Sequence, residues 1–357
     1  MSFSLDAVES YLRDRILPQA NTLDQNAVAL RAAFLALGQQ RWLGLKIPAI
    51  WGGYEVNAIA FQQFQEAIAR VSGALAFLQA QHQSAGAFIS RSQNHELKQE
   101  YLPRMAMGEI AVGVGFSHLR RAGSPLLKAL PVEGGYQLHG TIPWITGYSI
   151  FQWFIGAAVL PDDCAVYGMM PFVPQQTATD SLHFSDPMAL AAMTATNTVT
   201  ATLNHWFLPQ TQVLFTTPAN AIHHNDVQNV LQHSFYALGC ARAGLDVVEQ
   251  VAQRRSQPFL HTAYAALNQE LTTCRQAIYQ AAAQSFGDRL QLRAWAIELA
   301  GRCAHAAVAV SAGAANSLHH PAQRIYRESL VFTVAGQTPA VMEATLHRLT
   351  RSKMGHL

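Results

Sequence analysis

The apolar positions along the chain change their period twice. Up to about residue 109 they recur at helical spacing, as at Phe61, Phe64, Ile68 and Val71, one stripe of an amphipathic helix. Breakers at Pro48, Gly52-Gly53 and Pro103 divide this stretch into four or five predicted helices. The first runs over residues 1–21 and begins near Ser4. From residue 110 to about 216, β-branched and aromatic residues come in short runs between turn signals at 133–135, 161–163 and 185–187. That texture predicts six to eight antiparallel strands. One is a strand from Tyr136 reaching Trp144, and another covers 198–208. From residue 217 the helical period returns in three long segments, 226–254, 261–286 and 290–316, with a shorter helix at 338–350. Those lengths suit a four-helix bundle.

The predicted architecture is therefore α+β and mostly α: a helical domain (1–109), a central β-barrel-like domain (110–216) and a four-helix-bundle domain (217–357). Strands and helices do not alternate, so a doubly wound parallel sheet is not expected.

Composition narrows the partners. Of 357 residues, 13% are charged and half are apolar, about half the usual charge density of a soluble chain. Low charge is compatible with a thick helical core or with burial against other subunits. The formal charge of +2 is dispersed, so no nucleic-acid partner is expected. No run is long and apolar enough to span a membrane, and the N-terminus lacks a secretory pattern; a cytoplasmic location is expected. Cys164, Cys240, Cys274 and Cys303 lie far apart and read as small hydrophobes, with no metal-ligand spacing. His223-His224 and His319-His320 read as loop or helix-end polar groups, so no metal is expected.

Several local strings point to one chemistry. They are Trp-Leu-Gly-Leu-Lys-Ile-Pro (42–48), Trp-Gly-Gly-Tyr (51–54), Glu-Ala-Ile-Ala-Arg (66–70), Leu-Lys-Gln-Glu-Tyr-Leu-Pro-Arg-Met-Ala-Met-Gly-Glu (97–109) and Trp-Ile-Thr-Gly (144–147). In these strings, and over nearly its whole length, the chain resembles the acyl-CoA dehydrogenase superfamily of FAD-dependent oxidoreductases. The resemblance implies that the strand carrying Trp144, Ile145 and Thr146 lies along the flavin. The indole would cover the ring system and the threonine hydroxyl would bond near N5; a flavin accepting hydride needs such a donor and such a wall. It also places Ser117, Gly123 and Ser124 in the loop that holds the flavin and its phosphate. Arg120 and Arg121 stand where that loop is usually a small turn. They read either as contacts to an anionic substrate or the flavin phosphates, or as solvated charges.

Toward the C-terminus the resemblance assigns Arg254 and Arg255 to the flavin pyrophosphate of a neighbouring subunit. Gly313 falls in a glycine turn toward the adenine, reduced here to one glycine. Residues 311–328 also look like flavin monooxygenases built on the same fold. The glutamate base of the family's dehydrogenases falls at Ala335, and the alternative base position on the first bundle helix falls at Asn229. Neither takes a proton. If residues 226–254 form one helix, Asp226 and His233 share the face of Asn229, and a histidine titrating near neutrality suits acid–base work. The structural alternative has Asp226 as a helix cap and His233 as a core histidine. Tyr236 is expected to contact substrate, beside Leu231, Phe235, Leu238, Ala241 and Gly244, a stripe that equally suits helix core.

Three functions stay open: an oxidoreductase acting on a CH–CH bond of an acyl-thioester-like or other hydrophobic substrate with a non-standard base, a flavin monooxygenase, or a non-catalytic flavin- or acyl-binding relative. The resemblance implies a homodimer or homotetramer.

Overall fold

In the computed structural model of the chain, residues 3–284 and 288–350 are described. The starts and ends of two expected helices, Met1, Ser2, Ser285 and Phe286, lie outside them, as does the end of the third expected domain.

Six helices come first: α1 (Leu5–Tyr11), α2 (Ala20–Gln25), α3 (Ala27–Gln39), α4 (Ala58–Val71), α5 (Gly73–Arg91) and α6 (His95–Ala106). Short polar side chains start most of them by accepting a backbone N–H of the first turn, as Asn57 does from Ala60 and Ser72 from Leu75. The single helix expected over 1–21 is not continuous. Its pitch changes at Leu12–Ile16 and again at Leu17–Gln19, where Pro18 has no N–H to give.

The strands are β1 (Val112–Gly115), β2 (Leu127–Val132), β3 (Gly135–Ile145), β4 (Trp153–Val159), β5 (Cys164–Pro171), β6 (Gln175–Gln176), β7 (Ser181–Phe184), β8 (Val199–Pro209) and β9 (Val213–Pro218). They form one sheet of nine strands, one more than the upper expectation. Pairing is mostly antiparallel, but β4 runs parallel to both β1 and β2, so the sheet is mixed. Between Ile142 and Ile145 the β3–β8 register slips by one residue. This bulge at Pro143-Trp144 re-aims the end of β3.

The chain then returns to helix: α7 (Ala221–Gln228), α8 (Ser234–Arg254), α9 (Pro258–Gln284), α10 (Arg289–Ser311), α11 (Pro321–Val334) and α12 (Pro339–Leu349). The bundle's fourth member is α11, which the sequence reading did not call a helix, with α12 packed on α10. Pro321 occupies the first turn of α11, where its missing N–H costs nothing, and His320 caps it. α8 is clamped on two sides. A Cβ on Gly239 would lie 2.3 Å from the Glu66 oxygen of α4, and one on Gly244 2.6 Å from the Cys303 oxygen of α10.

The expected continuous helix over 226–254 is broken at 229–233. Arg293, on α10, donates to the Val230 carbonyl at 2.8 Å. The Ser234 N–H, its normal helical partner, turns to Leu231 instead.

Candidate active site

A cavity of about 620 Å³ opens among α5, the sheet, the α7–α8 break and the α11–α12 turn. Strand alternation decides what β3 gives it. Trp144 and Thr146 line the cavity, while Ile145 is fully buried and does not line it. Trp144 leaves 47% of itself exposed, which is unusual for an indole with packing partners available. The Thr146 hydroxyl pairs with that of Thr198 at 3.0 Å, and Ser117 adds a third hydroxyl to the lining.

Arg120, in the same turn as Ser117, grips Asp226 with two hydrogen bonds, 2.7 and 2.8 Å. Asp226 is the only carboxylate among the described residues that line the cavity. It sits inside α7 and caps nothing. Asp226 and His233 do meet in one cavity, but by virtue of the break between α7 and α8, not by sharing a helix face. His233 is not the near-neutral acid–base expected from its type. Burial, then the charges of Arg293 and Arg120, push it down to about 3, so it is a neutral imidazole and a weak proton acceptor.

The ring of His233 packs on Gly336, where an added Cβ would meet it at 2.6 Å and where φ is +61°. Arg293 completes this corner. Its guanidinium is 2% exposed and donates to the carbonyls of Ala335 (2.6 Å) and Gly336 (3.1 Å) as well as Val230. Burial lowers it to about 10. One side chain thus ties the α7–α8 break to the 335–336 turn. Tyr236 also lines the cavity; Gln65 donates to its hydroxyl at 2.5 Å, its ring stacks on Phe332 at 5.8 Å, and burial pushes its phenol well up.

Other expected site residues fall outside the cavity. Arg121, Gly123 and Ser124 are exposed on the loop beyond Ser117. Arg254 and Arg255 are exposed at the end of α8. Gly313 is exposed, and the left-handed residue of its turn is Ala312, at φ +50°, so this is not a glycine turn. Missed by the sequence reading were Arg293, Thr198, Lys46 and Arg91. Arg293 did leave a signal, a charge on the stripe Ala296, Ile297, Ala300 and Cys303 that packs inward. The other three depend on tertiary placement.

The family description "Acyl-CoA dehydrogenase, N-terminal domain" matches residues 4–109. The chain is 26% identical over 218 residues to isovaleryl-CoA dehydrogenase of Solanum tuberosum, covering 58% of this chain and 52% of that one. It is 32% identical over 146 residues to the Bos taurus isovaleryl-CoA dehydrogenase, covering 39% and 34%. The chain thus spans about half the length, or less, of these relatives. In structure it superposes on butyryl-CoA dehydrogenase of Megasphaera elsdenii with TM-score 0.79 at 16% identity, covering 98% of this chain and all of that one. A glutaryl-CoA dehydrogenase bound to glutaryl-CoA gives 0.79 at 21%, covering 98% and 97%.

Residues 4–109 are thus an acyl-CoA dehydrogenase N-terminal domain by sequence, and nearly the whole chain shares the fold of these dehydrogenases.

Against that likeness, one corner of the cavity is altered. Ala335, at the position that the resemblance assigns to the base, lines the cavity with only a methyl group. The turn it sits on is held by Arg293 and His233.

Proposed function

We propose that this protein is an FAD-dependent oxidoreductase acting on a hydrophobic, acyl-thioester-like substrate in the described cavity. The observation that carries the reading is the aim of β3, whose bulge turns Trp144 and Thr146 together into a cavity with a single carboxylate. These residues fit an isoalloxazine: an exposed indole to cover it, and hydroxyls at Thr146, Thr198 and Ser117 to bond its polar edge. Arg254, Arg255 and Gly313 would hold the other end of the cofactor from a neighbouring copy, which agrees with their exposure. When bound, the flavin supplies a two-electron acceptor.

The chain's own residues do the rest. Arg120 holds both oxygens of Asp226 and so fixes the carboxylate in direction. A proton leaving the substrate then has Asp226 as its carboxylate acceptor, while the neutral His233 and the Arg293 clamp keep the 335–336 turn in place. The apolar side chains of Phe77, Ala80 and Val331 exclude water around the substrate's carbon chain. A flavin monooxygenase is the second reading, favoured by Ala335, by the engagement of Asp226 with Arg120 and by the depressed His233. Consumption of oxygen by the reduced protein with incorporation into a bound substrate would select it. The first reading is tested by extracting bound cofactor from purified protein: about one FAD per chain supports it, and a protein that neither carries nor takes up FAD overturns it.

A further inference from the structure

The charges around the cavity do not balance. Its described lining carries four cations, Lys46, Arg91, Arg120 and Arg293, against the one carboxylate, Asp226. Asp226 is taken by Arg120, and Arg293 gives its donors to backbone carbonyls. Lys46 and Arg91 have no such partner among the described residues. What each has is the face of a ring: the Lys46 ammonium lies 5.1 Å from the centre of Phe61, and the Arg91 guanidinium 5.7 Å from that of Phe88. A ring face attracts a cation by about 0.5–1 kcal/mol at such sites and neutralises nothing. The two cations also oppose each other. Burial, and after it the charge of Arg91, lowers the Lys46 ammonium below its ordinary value.

Like charges that line one cavity are relieved when an anion lies between them. The wall is built for one. Phe77, Gln81, Ser84, Phe88 and Arg91 follow each other at four- and three-residue steps along α5 and all line the cavity, so they form one stripe. Gln81 and Ser84 add further donors to the same lining, and their side chains make no hydrogen bond to protein among the described residues. Phe88 and Phe116, 5.0 Å apart, give an apolar surface alongside.

We infer that Lys46 and Arg91 form an anion-binding site on the α5 wall that takes a carboxylate carried by the substrate. The substrate is then an acyl or aryl compound with an ionised acid group rather than a plain hydrocarbon chain. Arg91 offers a planar fork that matches the two carboxylate oxygens, and Lys46 a point charge on the same cavity. The inference rests on the cavity being the substrate pocket, as proposed above.

The test is calorimetric titration of the FAD-loaded protein with hexanoate and with its neutral counterpart hexanamide. Hexanoate is expected to bind tighter by about tenfold or more, roughly 1.4 kcal/mol. Lys46→Gln and Arg91→Gln each abolish most of that preference, while Lys46→Arg and Arg91→Lys keep it, with flavin content and melting temperature unchanged throughout. Equal binding of the two probes, no binding of hexanoate, or a preference that survives the double glutamine variant overturns the inference. So does loss of flavin from the glutamine variants, which would assign these cations to the flavin phosphates. Reduction by thioesters is not read in this experiment, so its failure is distinct from failure of the redox reading.

Discussion

Arg293 on α10 and Gly336 before α12 are joined by a 3.1 Å hydrogen bond, and the same guanidinium reaches Ala335 and Val230. The 335–336 turn, where the resemblance puts the base position, is thus braced by a cation 43 residues away in sequence. Replacing Arg293 with Met leaves three buried carbonyls without that donor, at about 1–3 kcal/mol for each one not rescued by water. A drop of that order in unfolding free energy, read from the urea midpoint, is expected. A midpoint equal to that of the parent protein would show that the clamp is idle.

Asp226→Asn keeps the shape of the Asp226 side chain and removes its charge. Flavin reduction by substrate is expected to slow by about 10²–10⁴-fold, the usual contribution of a positioned base, with flavin content unchanged. Stopped-flow absorbance gives the rate. An unaltered rate would remove Asp226 from the chemistry.

Trp144 is 47% exposed, so Trp144→Ala should leave the fold intact. It should weaken flavin retention by about tenfold, given roughly 1–1.5 kcal/mol for an aromatic contact. Equilibrium dialysis followed by flavin fluorescence measures this, and equal retention by both proteins would place the flavin elsewhere.

The pH dependence of stability has a definite sign. Burial lowers His82 and His118 to about 4 and His233 to about 3. These groups bind protons less in the folded state, so their contribution is full above about 6.5 and is lost as pH falls toward 4. Burial first, with Asp24 adding and Arg324 opposing, raises Glu328 to about 7. It acts in reverse: its contribution fades as pH rises from about 4.5 to 7. Unfolding free energy should therefore rise between pH 4 and 6.5. Glu328→Gln should steepen that rise by close to one proton, about 1.4 kcal/mol per pH unit. Urea midpoints across this range check it, and an unchanged slope in the variant would refute the role given to Glu328.

Met342 and Leu346, 49% and 53% exposed, are successive residues of one apolar stripe on α12, the kind of surface that marks an interface. Met342→Glu combined with Leu346→Glu should convert a homo-oligomer to smaller species in light-scattering chromatography. The same mass in both proteins would move the interface elsewhere.

Much of the fold could be read from periodicity because its elements are long and separated by Gly and Pro. The strand through Trp144, the change to β texture after α6 and the returning helices rest on local pattern alone. The break between α7 and α8 does not, since it depends on Arg293 capturing the Val230 carbonyl. Helix α11, which starts at Pro321, was not among the segments expected from periodicity. Trp144 and Thr146 were visible as candidates through resemblance, and Asp226 through its spacing from Asn229. The depressed titration of His233 and the pairing of Lys46 with Arg91 come from burial and proximity, which spacing along the chain does not encode. The exposed Arg254, Arg255 and Gly313 do not line the cavity.

The most direct measurement is the absorbance spectrum of the purified protein, repeated during anaerobic titration with acyl-CoA thioesters. The account predicts the bands of oxidised flavin, bleached by a thioester in proportion to the amount added. Flavin bands that no thioester bleaches would contradict the dehydrogenase-type reading, and a colourless protein that refuses added FAD would contradict the flavin site itself.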